Sequence, residues 1–223
     1  TIKKIEDQCL NNEVEIIIAD DGSNYSNNIE SNYTKKIQIK NDIRNIYKLR
    51  NNKLDSFLKS NSLESNLIKE WIYLPKLIKC MSKSRVINYA IESSRSNNLL
   101  FLDDDNYFIS NNTINNLLHL FKKYDLVIGQ IKDNNQRLRN YTSYRVQGTT
   151  IGLKKNIIKD INGFGEWTEE FSCGIDSDLW IKLYNHFKNH KYLKACYTNQ
   201  LSTYDSQLKK YNCISIYYNS HST

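Results

Sequence analysis

The chain has 223 residues, 39% hydrophobic and 25% charged. This is a globular composition with room for one sizeable core, not a disordered one. The net charge is +7, but the Lys and Arg residues are dispersed and not interleaved with aromatics, so no nucleic-acid partner is expected. The five cysteines are widely spaced without a CxxC pair, which argues against a zinc site and for reduced thiols in a cytoplasmic-type compartment. No apolar stretch has transmembrane length, and no signal peptide is read.

In chain order, residues 2–10 read as the end of a helix. Val14 to Ala19 is a β-rich run that stops at Asp20-Asp21-Gly22-Ser23, a turn signal. Residues 24–32 read as a short helix and Lys36 to Lys40 alternates like a strand. Residues 42–81 are polar and mostly helical in pattern, including Leu67 to Ile72, with Pro75 opening a new segment. Ser84 to Arg95 reads as a helix, and Leu99 to Leu102 as a buried strand that feeds into Asp103-Asp104-Asp105. A helix capped near Ser110–Asn112 follows, with Ile114, Leu117, Leu118 and Phe121 on one face. Leu126 to Ile131 reads as a strand and residues 141–153 as extended. Residues 176–188 read as an amphipathic helix and 192–197 as a late strand. The alternation of strands and helices predicts a layered α/β fold with a partly parallel sheet.

Three acidic groups fall where such a fold binds ligands. Asp20 and Asp21 end a strand, where a carboxylate can take hydrogen bonds from a ribose or a base; a plain Asp-Gly turn is the alternative. Three like charges after a buried strand are costly unless a cation neutralises them. That pattern fits an oxygen-only Mg²⁺ or Mn²⁺ site holding a phosphorylated ligand, and it is shared by nucleotidyltransferases and phosphatases. Asp176 and Asp178 stand at a helix start. There they either complement the dipole or supply a general base for a hydroxyl nucleophile.

Taken in order, Glu15 to Ser23, Asn88-Tyr89-Ala90-Ile91, Phe101 to Asp105, Asn162 to Glu166 and Gly174 to Leu183 resemble the family 2 type of GT-A glycosyltransferase. The resemblance covers roughly residues 1–185. It implies a three-layer α/β sandwich of the GT-A type, Rossmann-like, with a mixed, mostly parallel sheet. It implies one domain over 1–223: a nucleotide-binding half (1–110, with a helical insertion at about 42–81), an acceptor-binding half (111–190) and a C-terminal extension (191–223). The implied activity is metal-dependent, inverting transfer of the hexosyltransferase type. The sugar would pass from a nucleotide-diphospho-sugar, UDP-linked, to a hydroxyl of a glycan, glycolipid or protein. Its rivals are a sugar-phosphate nucleotidyltransferase and a non-catalytic domain that binds nucleotide sugars.

The resemblance also carries roles. Asp20, Asp21 and Ser23 would meet the donor nucleotide. Asp103 and Asp105 match the two acids of the D-x-D motif and would hold Mn²⁺ or Mg²⁺; Asp103 and Asp104 would also face the nucleotide. Arg85 is carried over to the donor although it lies two residues from the usual position. Asp176 matches the catalytic base, and Glu166, Trp167 and Asp178 would border the acceptor. Against the family pattern, Ile175 replaces the glutamate of a Glu-Asp pair. The chain also starts within the family's first helix, so the sheet is expected to lack an inner strand.

Trp180 follows helical spacing and reads as core, whereas Trp167 lies in a loop open to stacking on a sugar. His186, His190 and His221 read as surface residues, with metal ligation the alternative. Lys69, Lys76, Lys79, Lys83 and Arg85 would form either a solvated helix face or a basic face for peripheral contact with a membrane.

Overall fold

The computed structural model describes residues 2–9, 14–22, 35–38, 45–50, 52–60, 65–75, 83–133, 135, 137–139, 147–171 and 173–206. The expected helix at 24–32 lies outside these residues. Among the described residues nine strands fall in two sheets. In the first, β1 (Ile16–Asp20) runs parallel to β4 (Ile68–Tyr73). Antiparallel to β4 comes β3 (Asn45–Leu49), and then β2 (Lys35–Gln38). The second sheet has the order β5 (Asn98–Phe101), β8 (Ile151–Lys154), β7 (Leu126–Lys132), β9 (Ala195–Asp205), β6 (Asn106–Phe108). Only β7 and β9 are parallel there. No pairing joins β1 to β5 among the described residues.

The helices are α1 (Ile2–Glu6), α2 (Asn52–Ser60), α3 (Lys83–Ser93), α4 (Thr113–Phe121), α5 (Lys155–Asp160), α6 (Thr168–Phe171) and α7 (Ile175–Asn189). Successive strand residues point to opposite faces. Leu99 and Leu126 therefore pack with α5 and α7 through Ile157, Ile158, Leu179 and Leu183. Their neighbours Leu100 and Val127 pack on the other face with Ile114, Leu117 and Phe121 of α4. The first sheet is covered likewise. Leu54, Phe57 and Leu58 of α2 pack with Trp71, while Val86 of α3 packs with Ile72 and Leu74.

Two expectations are corrected. Among the described residues the sheets are not mostly parallel: five of the seven strand pairings are antiparallel. A parallel neighbour needs a long crossover, and only β1 to β4 and β7 to β9 are parallel here. Residues 42–81 are not mostly helical either, since they contribute β3 and β4 as well as α2. Leu67, Ile68, Trp71 and Ile72 mimic a helical stripe because β4 is buried on both faces. Glu70 is only 3% exposed. It is held in the sheet by Arg50 at 2.7 Å and Lys48 at 3.4 Å.

Helix α4 is capped in an unexpected way. Asn112 makes no side-chain cap bond. Instead Gln8, buried beside α1, accepts the Ile114 N–H at 3.0 Å and donates to the Ser110 carbonyl. A remote amide thus satisfies a donor that the helix start leaves open. No helix among the described residues is long and apolar enough to cross a membrane.

Glu15, just before β1, ties the first sheet to the turn ahead of β5. Its carboxylate accepts from the Arg95 N–H at 2.7 Å, from Arg95 Nε at 3.1 Å and from the Ser96 N–H at 3.3 Å. Burial raises its pKa, but these donors outweigh burial and leave it below the ordinary value of 4.5. A lowered carboxyl pKa contributes stability above the unfolded value, and that stability is lost as pH falls through the folded value. Glu15→Gln is therefore expected to cost about 1 kcal/mol at neutral pH. In urea melts against pH, the gap from the parent should close below pH 4.5; a constant gap would contradict the assignment.

Candidate active site

Asp20 ends β1 and Asp103–Asp105 follow β5, whereas Asp176 and Asp178 open α7. Leaving β5, the chain makes a tight turn in which the Asn106 N–H returns to the Asp103 carbonyl at 3.1 Å. Asp103 and Asp105 are half-buried, and Asp104 between them is exposed. The Asp103 N–H donates to Thr149 Oγ1 at 2.8 Å. Asp105 Oδ1 accepts from Asn106 Nδ2 at 2.8 Å, and its carbonyl accepts from Ser206.

Residues 147–150 link this turn to Asp176. Gln147 is buried, and its Nε2 donates to the carbonyls of Gly129, Thr149 and Thr150. The Gln147 carbonyl accepts from Trp180 Nε1 at 2.8 Å. Trp180 thus packs against the core as expected and also pins this loop. Asp176, in the first turn of α7, lies directly on Gly148, where any Cβ would overlap its carboxylate. Burial pushes the Asp176 pKa up; Lys83 pulls it down, and Asp103 pushes it up again. Asp103 and Asp176 therefore share one electrostatic environment.

Lys83, the first residue of α3, sits within this cluster. Its ammonium lies 2.7 Å from Asp103 Oδ1 and is also felt by Asp176 and Asp105. Nothing local in a lysine-rich chain singles it out, and only the fold brings it here.

Other expected site residues are placed differently. Asp20 is 5% exposed and accepts from the Trp71 indole at 3.0 Å. Asp21 is half-buried at the turn that continues into Gly22; Ser23 lies outside the described residues. Arg85 faces protein carboxylates: its Nε is 3.4 Å from both Glu166 and Glu169, and its N–H donates to Glu169 at 2.8 Å. Asp178 is buried and spends both oxygens internally. Oδ2 takes the Gly165 N–H at 2.9 Å and Lys182 Nζ at 2.8 Å, while Oδ1 takes the Trp167 indole at 3.0 Å. Asp178 therefore positions the 163–167 loop. Trp167 itself is 56% exposed and lies edge-on to Phe171. Glu166 accepts from Asn88 at 3.1 Å.

Among the described residues, Lys69, Lys83 and Arg85 do not form a common basic face. Lys69 lies on β4, Lys83 turns to Asp103 and Arg85 turns to the glutamates. Lys76 and Lys79 lie outside the described residues, as does His221. His186 and His190 are stacked with ring centroids 4.3 Å apart.

No known family model matches the chain, and no curated protein matches it by sequence. Among solved structures it is similar to S. aureus TarS, residues 1–349, with a TM-score of 0.56 and 16% sequence identity. The match covers 92% of this chain and 55% of that one, so this chain spans about half the length of its neighbour. At that identity the likeness establishes the fold alone.

Gly148 offers a direct test of the pairing with Asp176. Gly148→Ala puts a methyl group where the carboxylate lies, and a local overlap of this kind typically costs about 1–3 kcal/mol. The expected outcome is a lower melting temperature. Replacing Asp176 by Gly in the same chain should recover most of the loss; no recovery would show that the two residues are not in contact.

Proposed function

We propose that this domain transfers a sugar from a nucleotide-diphospho-sugar, most simply a UDP-sugar, to a hydroxyl of a glycan, glycolipid or protein. The observation that carries this reading is the convergence of Asp103 and Asp176 on Lys83 beside the 147–150 loop. It occurs within a glycosyltransferase-like fold and beside the carboxyl end of β5, a position where α/β folds bind ligands.

In this reading Asp176 is the base. It takes the proton of the acceptor hydroxyl as that oxygen attacks the anomeric carbon. The bond from that carbon to the diphosphate oxygen breaks, and the nucleoside diphosphate leaves with the electron pair. A single displacement inverts the anomeric centre. Burial makes Asp176 a stronger base than an exposed aspartate, while Lys83 keeps it ionised.

Asp103 and Asp105 are the residues that would hold Mn²⁺ or Mg²⁺. Among the described residues no three His, Cys, Asp or Glu side chains are gathered as a complete cage. Two carboxylates completed by substrate phosphates are nevertheless an ordinary Mg²⁺ donor set. A bound divalent ion supplies charge stabilisation to the leaving diphosphate. Trp167, locked through its indole N–H to Asp178, offers an exposed ring that suits stacking against a sugar acceptor.

Two substitutions test the roles. Asp176→Asn should leave UDP binding intact and lower transfer by about 10²–10⁴-fold, read by isothermal titration and by release of UDP from UDP-sugars. Near-normal transfer removes Asp176 as the base. Asp105→Ala should abolish the Mn²⁺-dependent rise in melting temperature with UDP; a rise equal to that of the parent chain removes the metal role.

A further inference from the structure

The acid cluster already contains a cation of its own. Lys83 Nζ lies 2.7 Å from Asp103 Oδ1, with about a third of its side chain exposed. An ammonium paired with a carboxylate at this distance is a cation at neutral pH.

The backbone beneath it is fixed. Ser84 is fully buried, with its hydroxyl 3.0 Å from that of Thr168. The Arg85 N–H is held by Glu169 at 2.8 Å. The lysine stem, by contrast, is a flexible four-carbon chain ending in a compact point charge. The ammonium can leave Asp103 without any movement of α3.

We propose that Lys83 is a built-in counter-cation that a divalent metal ion must displace to reach Asp103. This rests on the reading of Asp103 and Asp105 as metal residues. A metal ion on Asp103 and the ammonium 2.7 Å from the same carboxylate would be like charges in contact, so the two compete. The arrangement gives the carboxylates a counter-charge in the absence of a metal ion. It also sets the metal concentration at which the site loads, because each ion bound must first expel the lysine head.

The test is Mn²⁺ binding to the chain without nucleotide. It is followed by the electron paramagnetic resonance of free Mn²⁺ and by the midpoint of the Mn²⁺-induced rise in melting temperature. Lys83→Gln should melt lower than the parent without metal, because its carboxylates lose their counter-charge. It should bind Mn²⁺ about tenfold more tightly. Lys83→Arg, which keeps the charge, should stay near the parent. Lys83→Met keeps the apolar stem and repeats the measurement if the Gln variant does not fold.

Unchanged or weaker Mn²⁺ binding by a folded Gln or Met variant overturns the proposal. So does the absence of Mn²⁺ binding in every protein. Failure of the donor reading would appear separately, as no UDP-dependent rise in the parent chain, a measurement that does not involve the Lys83 variants.

Discussion

The arrangement of this molecule turns on one side chain, Asn88. Its amide makes a reciprocal pair of hydrogen bonds with the backbone of Phe164, accepting from the N–H at 2.8 Å and donating to the carbonyl at 2.9 Å. The partners are 76 positions apart in sequence. The loop must approach so closely that a side chain at Gly163 would collide with the amide, and Gly163 adopts φ of 66°. Such a backbone angle is open to glycine at little cost. Two further contacts, Ser84 with Thr168 and Arg85 with Glu169, lie on the same side of α3. Helix α3 follows the first sheet and the 163–171 segment precedes α7, so these bonds hold together the segments that carry Lys83 and Asp176.

That clamp makes the electrostatics of the acid cluster possible. Carboxylates kept close in a half-buried place would each raise the others' pKa until one neutralised. Asp176 shows this pressure, being raised by burial and by Asp103. Lys83 relieves it, and it does so because α3 is fixed where its first residue reaches Asp103. Arg85 cannot share this task, being engaged two residues further along by Glu166 and Glu169. Lysine and arginine on one helix thus have separate duties. The compact ammonium serves the acid cluster, and the guanidinium holds the helix to the loop.

Much of this was legible in the sequence, and the limits have physical causes. Strong local patterns located β1, β5, β7, α3, α4 and α7 within a few residues. The run ending in Asp103-Asp104-Asp105 correctly placed charges at a strand's end. β4 was misread because a strand buried on both faces loses its period-two signature. Its lone buried charge, Glu70, looks like a surface residue until Lys48 and Arg50 arrive from β3 and the residue after it. The extended residues expected at 192–197 begin only at Ala195 and continue to Asp205, where Arg139 pairs with Asp205. At the site, Lys83 and Gln147 carry no sequence signal, since their importance comes from partners 20 or more residues away or from backbone carbonyls.

Asp176 and Asp178 show how two like residues in one short run come to have different surroundings. The two aspartates of the Gly-Ile-Asp-Ser-Asp run stand two positions apart at the start of one helix. Residues two apart on a helix do not share a face, so the pair could not both point at one ligand. The structure divides them accordingly. Asp176 turns to Gly148 and the acid cluster, while Asp178 turns inward to Gly165, Trp167 and Lys182. The inward carboxylate holds the loop whose exposed edge is the Trp167 ring. One turn of α7 therefore sets Asp176 against Gly148 and, through Asp178, fixes Trp167. A change at Asp178 would be felt through the position of Trp167.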